Sequence, residues 1–115
     1  AKMGHKADAE YFLLECGNDV RKIPFKDIWC VESQAHYLEM AYGNQTARWK
    51  ASLESVQDIF EKNGFVMTRR GVLVNLRRIA RVGKTECILD NGEHVSVSRN
   101  QYKAVNEAFI RFYRK

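Results

Sequence analysis

At 115 residues, 45% of them hydrophobic and 29% charged, the chain has the make-up of one globular domain able to close a core without disulfide or metal staples. No apolar run approaches the roughly 18 residues of a membrane span, and no stretch has the pattern of a signal peptide. The formal net charge of +5 admits an anionic partner without requiring one, so its distribution matters more than its size.

Ala1 stands where an initiator Met is usual, so residues 1–8 (AKMGHKAD) read as a disordered or vector-derived leader and residues 9–115 as the domain. Tyr11 to Cys16 reads as a strand, followed by the turn Gly17-Asn18-Asp19. Val20 to Phe25 alternates, and Pro24 marks its edge or end. Ile28 to Glu32 is a run of β-formers that Ser33-Gln34-Ala35-His36 interrupts before Tyr37 to Tyr42. Gly43-Asn44 then joins that segment to Gln45–Lys50 as a hairpin.

Ser52 is positioned to cap a helix whose Leu53, Val56, Ile59 and Phe60 share one face, with Asn63-Gly64 as its stop. Strands resume over roughly 65–69, 72–76 and 78–82, and 84–89 and 93–98 flank the hairpin signal Asn91-Gly92. Ser98-x-x-Gln101 has the form of a capping box, so a final helix over 100–115 is expected. Its stripe of Tyr102, Val105, Phe109, Phe112 and Tyr113 fits packing on the sheets or contact with a second copy. The prediction is a mainly β, antiparallel domain with one short internal helix and one C-terminal helix.

Cys16, Cys30 and Cys87 are odd in number, lack C-x-x-C spacing and fall within strand-like stretches. They read as buried free thiols in a reducing cytoplasm, not as a disulfide framework or a zinc site. The chain has no G-x-S-x-G, H-E-x-x-H, P-loop or G-x-G-x-x-G, and His5, His36 and His94 lack metal-ligand spacing. No enzymatic activity, metal or cofactor is expected.

The charges are unevenly placed. Acids gather in the first half (Glu10, Glu15, Asp19, Asp27, Glu32, Glu39) and from Glu54 to Glu61. Phe65 to Thr85 holds no acid and six basic residues: Arg69, Arg70, Arg77, Arg78, Arg81 and Lys84. Arg69 and Arg70 adjoin the apolar run Val72-Leu73-Val74, and adjacent guanidiniums repel. Either they end a solvated strand or they face a polyanion. Three polar breaks carry suitable side chains: Ser33, Gln34 and His36 at the first, Arg69 and Arg70 at the second, Arg99 and Asn100 at the third. Arginine forks match guanine edges and phosphates, and Arg99 at a helix start would lie beside free backbone N–H groups. An RNA-binding β module, with Tyr37, Tyr42 and Trp49 as stacking candidates, and a protein-interaction domain of a sensor fit the same residues.

From about Phe25 to Arg99 the chain resembles the LytTR family, the DNA-binding output domain of many bacterial response regulators. "FKDIWCVESQAHYLEM" is similar to the family's opening strand pair, and "SLESVQDIF" to its internal helix. "FVMTRRGVLVNLRRI" is similar to its Phe-x-x-x-x-Arg-x-x-x-Val-Asn-x-x-x-Ile signature, and "LDNGEHVSVSRNQYK" to its closing hairpin and Ser-Arg. The resemblance implies stacked antiparallel sheets that place loops in successive major grooves of double-stranded DNA. It further implies tandem direct repeats in promoters, some DNA bending and an upstream receiver or sensor module outside this chain; the stripe of the last helix adds a homodimer on DNA as one option. By this resemblance His36 makes a base-edge contact, Arg70 matches the polar DNA-binding residue of the second loop, and Arg99 matches the motif arginine of the third. Arg69 stands where the family commonly has histidine and is expected on phosphate, which would screen it from Arg70. Gly71 replaces a usual serine. Asn75 is expected to bond neighbouring backbone, away from DNA.

Overall fold

Among residues 10–114, which the computed structural model describes, ten strands and two helices follow one another. In chain order they are β1 (Tyr11–Cys16), β2 (Asp19–Pro24), β3 (Ile28–Gln34), β4 (Tyr37–Tyr42), β5 (Gln45–Lys50), α1 (Glu54–Lys62), β6 (Phe65–Arg69), β7 (Val72–Asn75), β8 (Ile79–Val82), β9 (Glu86–Leu89), β10 (His94–Ser96) and α2 (Tyr102–Tyr113). The expected leader lies outside the described residues.

The strands form three antiparallel sheets. The largest has the order β5-β4-β3-β7-β6, and it is flanked by the β1-β2 hairpin and by a β10-β9-β8 sheet. The period-2 rule explains why the five-stranded sheet serves two cores at once. Val31, Leu38, Met40, Phe65 and Leu73 face one core with β1, β2 and α1, whereas Val66, Val72 and Val74 face the other with β8, β9 and α2. All four residues of β7 are buried, as a strand covered on both faces requires. Phe60 of α1 anchors the first core, with its ring centroid 4.9 Å from Phe12, 5.5 Å from Phe25 and 4.8 Å from Phe65. Val105 of α2 is fully buried in the second core, where Tyr102, Ala108, Phe109 and Phe112 also pack. The C-terminal helix therefore packs on the sheets.

The chain passes between sheets at two 3-10 turns, Phe25–Asp27 and Leu76–Arg78, each led by a buried apolar residue and followed by a buried Ile. Asn75, fully buried, holds both crossovers. Its amide donates to the carbonyls of Phe25 (2.9 Å) and Ile28 (2.8 Å), and its oxygen accepts from the Arg77 backbone N–H at 3.0 Å. This is the backbone-bonding role expected for it.

Both helix starts differ from expectation. Helix α1 begins at Glu54 with no side-chain cap, because Ser52 offers its carbonyl to the Ser55 N–H and Oγ. Helix α2 begins at Tyr102, and Ser98 uses its carbonyl to receive the N–H groups of Gln101 and Tyr102. The Gln101 amide is bonded to the Met67 carbonyl at 3.0 Å, so no capping box forms. The stop of α1 holds as expected: Gly64 has φ +92, and a Cβ there would lie 2.8 Å from Arg77 Nη1.

The three cysteines are free, but only Cys87 is buried; Cys16 and Cys30 are half-buried at the margins of the cores. Burial pushes the thiols of Cys30 and Cys87 up from 9.0 to about 11. The unfolded chain ionises first, near 9.0, so the stabilisation from the two neutral thiols is complete below that pH and lost by about 11. Iodoacetamide at pH 8 is expected to leave Cys30 and Cys87 unmodified in the folded protein and to modify them in urea, as peptide mass mapping reads. Rapid labelling of Cys87 without denaturant would contradict its burial.

Candidate nucleic-acid interface

Backbone hydrogen bonds draw the three polar junctions together. The first is tighter than the sequence suggests: Ser33 and Gln34 belong to β3, and Ala35-His36 alone make the turn. Ala35 takes φ 56 there, a left-handed conformation uncommon for a residue with a Cβ. The second turn, Arg70-Gly71, has φ 88 at Gly71, which only glycine adopts without strain. The Ser33 N–H donates to the Gly71 carbonyl at 2.8 Å, tying the first junction to the second. The third is tied to the second from the other side, because β6 is an edge strand whose outward carbonyls are available. The Ser98 N–H reaches the Thr68 carbonyl at 2.9 Å, and Gln101 reaches that of Met67.

On this frame His36 and Arg70 line one cleft of about 560 Å³, together with Ser33, Lys50, Leu53 and Met67. Arg99 and Asn100 lie in the turn that precedes α2, not in its first turn, so the helix start offers Arg99 less than expected: Ser98 already occupies two of the amides there. Ser33, Gln34, His36, Arg70, Arg99 and Asn100 are all exposed. Among the described residues, His36, Arg70 and Arg99 have no ion-pair or side-chain hydrogen-bond partner, which leaves their donors open to a ligand.

Arg69 differs. A bulge inserts Thr68 between the pairs Met67↔Leu73 and Arg69↔Val72, so Arg69 shares Val72's face and its Nη2 meets Glu32 Oε2 at 3.3 Å. The adjacency of Arg69 and Arg70 is thus relieved by a carboxylate of the chain itself, where an external phosphate was expected. The insertion leaves the Thr68 hydroxyl and Arg69 Nε buried without a hydrogen-bond partner, a penalty of about 1–3 kcal/mol for such a group.

The basic stretch from Phe65 to Thr85 is correspondingly less free than its composition suggests. Arg77 donates to the Asn63 carbonyl at 2.9 Å and lies 5.4 Å from the Phe112 ring; burial lowers its pKa from the usual arginine value. Arg78 donates to the Lys26 carbonyl at 3.1 Å and stacks 4.7 Å over Trp29. Both hold crossovers. Arg70, Arg81 and Lys84 remain exposed.

In the sequence Glu32 counts only as one of the acids of the first half, although the hairpin arithmetic contains its place in the sheet. A two-residue turn at 35–36 puts Glu32 directly opposite Glu39, and the Gly43-Asn44 turn puts Glu39 opposite Arg48. The bulge that delivers Arg69 to the same row has no such signal. Of the stacking candidates, Tyr42 is buried and Trp49 packs against the first core, which leaves Tyr37 exposed. Among the described residues no three His, Cys, Asp or Glu gather as a metal site, and no helix is long and apolar enough to cross a membrane.

Comparisons with known proteins agree with this geometry. None of the curated proteins matches the chain. A solved LytTr DNA-binding domain, from a protein of Bacillus cereus described as a methyl-accepting/DNA response regulator, superposes with a TM-score of 0.72 at 21% identity. The match covers 86% of this chain and 95% of that one. At that identity the likeness speaks for the fold. The family model of the LytTr DNA-binding domain matches residues 18–110, which takes in every junction just described. This chain belongs to the LytTR family of DNA-binding domains.

Proposed function

We propose that the domain binds double-stranded DNA sequence-specifically through its three junctions and regulates bacterial transcription as the output domain of a larger regulator. The observation that carries this reading is the pair of backbone ties, Ser33 to Gly71 and Ser98 to Thr68, which hold three exposed, unpartnered cationic or polar turns side by side. Side chains on such turns are pre-positioned, so less ordering is required when they meet bases. His36, Arg70 and Arg99 read base edges in the major groove; Ser33, Gln34 and Asn100 add contacts, and Arg69 addresses phosphate only weakly while Glu32 holds it. Direct repeats in promoters, an upstream receiver or sensor module, a cytoplasmic location and pairing of copies on DNA complete the reading.

Selection from a random duplex library tests it, followed by gel shifts of the recovered duplex and a scrambled one across a salt series. A recovered motif whose preference persists as salt rises is the expected result. Uniform loss for both duplexes marks a generic basic patch. Preference for single-stranded RNA over any duplex would move the domain to the RNA-binding class, which the burial of Tyr42 and the packing of half-buried Trp49 on the first core disfavour.

A further inference from the structure

We propose that Glu32 is a brake on phosphate binding that acts through Arg69, a positioning role that rests on the DNA-binding reading above. One residue from each strand of the five-stranded sheet forms a row: Arg48, Glu39, Glu32, Val72 and Arg69. Its two central acids stand directly opposite one another and repel, so each needs a cation. Glu39 takes Arg48 at 3.2 Å, and Glu32 reaches across Val72 to Arg69.

The bulge is what makes the second pair. In an uninterrupted ladder Thr68 would oppose Val72 and Arg69 would turn to the α1 side, away from Glu32. The protein instead keeps an unpaired, fully buried Thr68 hydroxyl beside the second junction, and bulges of this kind re-aim a side chain next to a site.

The pair is about 40% exposed at both members and lies one residue from Arg70 and one residue from Ser33. A phosphate arriving at the second turn therefore meets the guanidinium and the carboxylate together. Such a pair attracts it weakly, because displacing Glu32 sets two anions side by side. Arg69 then contributes little to counterion release on any duplex.

Glu32→Gln removes the brake while also relieving the repulsion with Glu39, so the fold is retained, as melting curves check. The probes are a heparin column and a short random-sequence duplex titrated with salt. The expected results are later elution from heparin, about fivefold tighter duplex binding at low salt, and a log–log salt slope steeper by about one. In an Arg69→Gln background the same change should gain less than twofold. Unchanged elution and slope, or an equal gain in both backgrounds, would overturn the proposal. Heparin keeps the two readings apart: if elution shifts as stated while selection recovers no duplex motif, sequence recognition fails and the brake stands.

Discussion

Asn75→Leu, a near-isosteric change, is expected to lower the unfolding free energy by about 4 kcal/mol, among the larger effects a single substitution produces. The side chain is fully buried, and its hydrogen-bonding capacity is filled: two donors to Phe25 and Ile28, and an oxygen shared by the Arg77 N–H and Arg77 Nη1. Leucine would take one of the two donors from the Phe25 carbonyl, which keeps the Ile28 N–H, and would remove the Asn75 partner of the buried Ile28 carbonyl and of the half-buried Arg77 N–H. The effect also spans the molecule, because these groups sit on both turns by which the chain changes sheets. Asn75→Asp makes the point sharper. It keeps size and the acceptor, but aims an oxygen at the carbonyls of Phe25 and Ile28, so it too should destabilise. Urea denaturation reads the result as a lower midpoint with an unchanged slope. A midpoint equal to that of the native chain would show that the clamp contributes nothing net.

Much of this architecture could be read from residue order, and the reasons differ from element to element. Turn chemistry is local. Gly43-Asn44 and Asn91-Gly92 therefore set hairpins that the structure contains, and Asn63-Gly64 ends α1 where expected. The start of α2 departs from the capping-box pattern for a tertiary reason: the Gln101 amide is bonded to the edge of β6, and Ser98 is held by Thr68. At α1 the reason is local, the Ser52 carbonyl taking the Ser55 donors. The 3-10 turns at 25–27 and 76–78 were invisible because only the join between sheets demands them.

The same division holds at the interface. Which turns are polar is written in the residues, and so are His36, Arg70 and Arg99 as candidates. That Arg69, Arg77 and Arg78 have partners inside the chain is not, because Glu32, the Asn63 carbonyl and Trp29 lie 37, 14 and 49 positions away. A run of basic residues counts charges without saying where each one goes. The structure sorts that run into arginines that hold crossovers, one that answers an acid, and others left exposed.

Arg99→Ala and Arg70→Ala should each weaken binding to the selected duplex by about 1–3 kcal/mol and leave binding to a scrambled duplex nearly unchanged. The expectation follows from what each guanidinium lacks: both are exposed, and neither has an ion-pair or hydrogen-bond partner among the described residues. Truncation therefore removes nothing from the folded core, and melting temperatures should not move. Arg77→Ala is the contrast. That side chain is bonded to the Asn63 carbonyl and packs on Phe112, so its loss should lower the melting temperature before it touches DNA affinity. The backbone ties supply the geometric reason for discrimination. The turn carrying Arg99 is fastened to β6 at Thr68 and Met67, and the turn carrying Arg70 to β3 at Ser33, so each fork has a rigid base from which to meet a guanine edge. Equal weakening of both duplexes by Arg99→Ala would instead make it a phosphate contact. With Arg70→Ala behaving the same way, no junction would be left to read sequence through arginine, and His36 would have to carry the recognition alone.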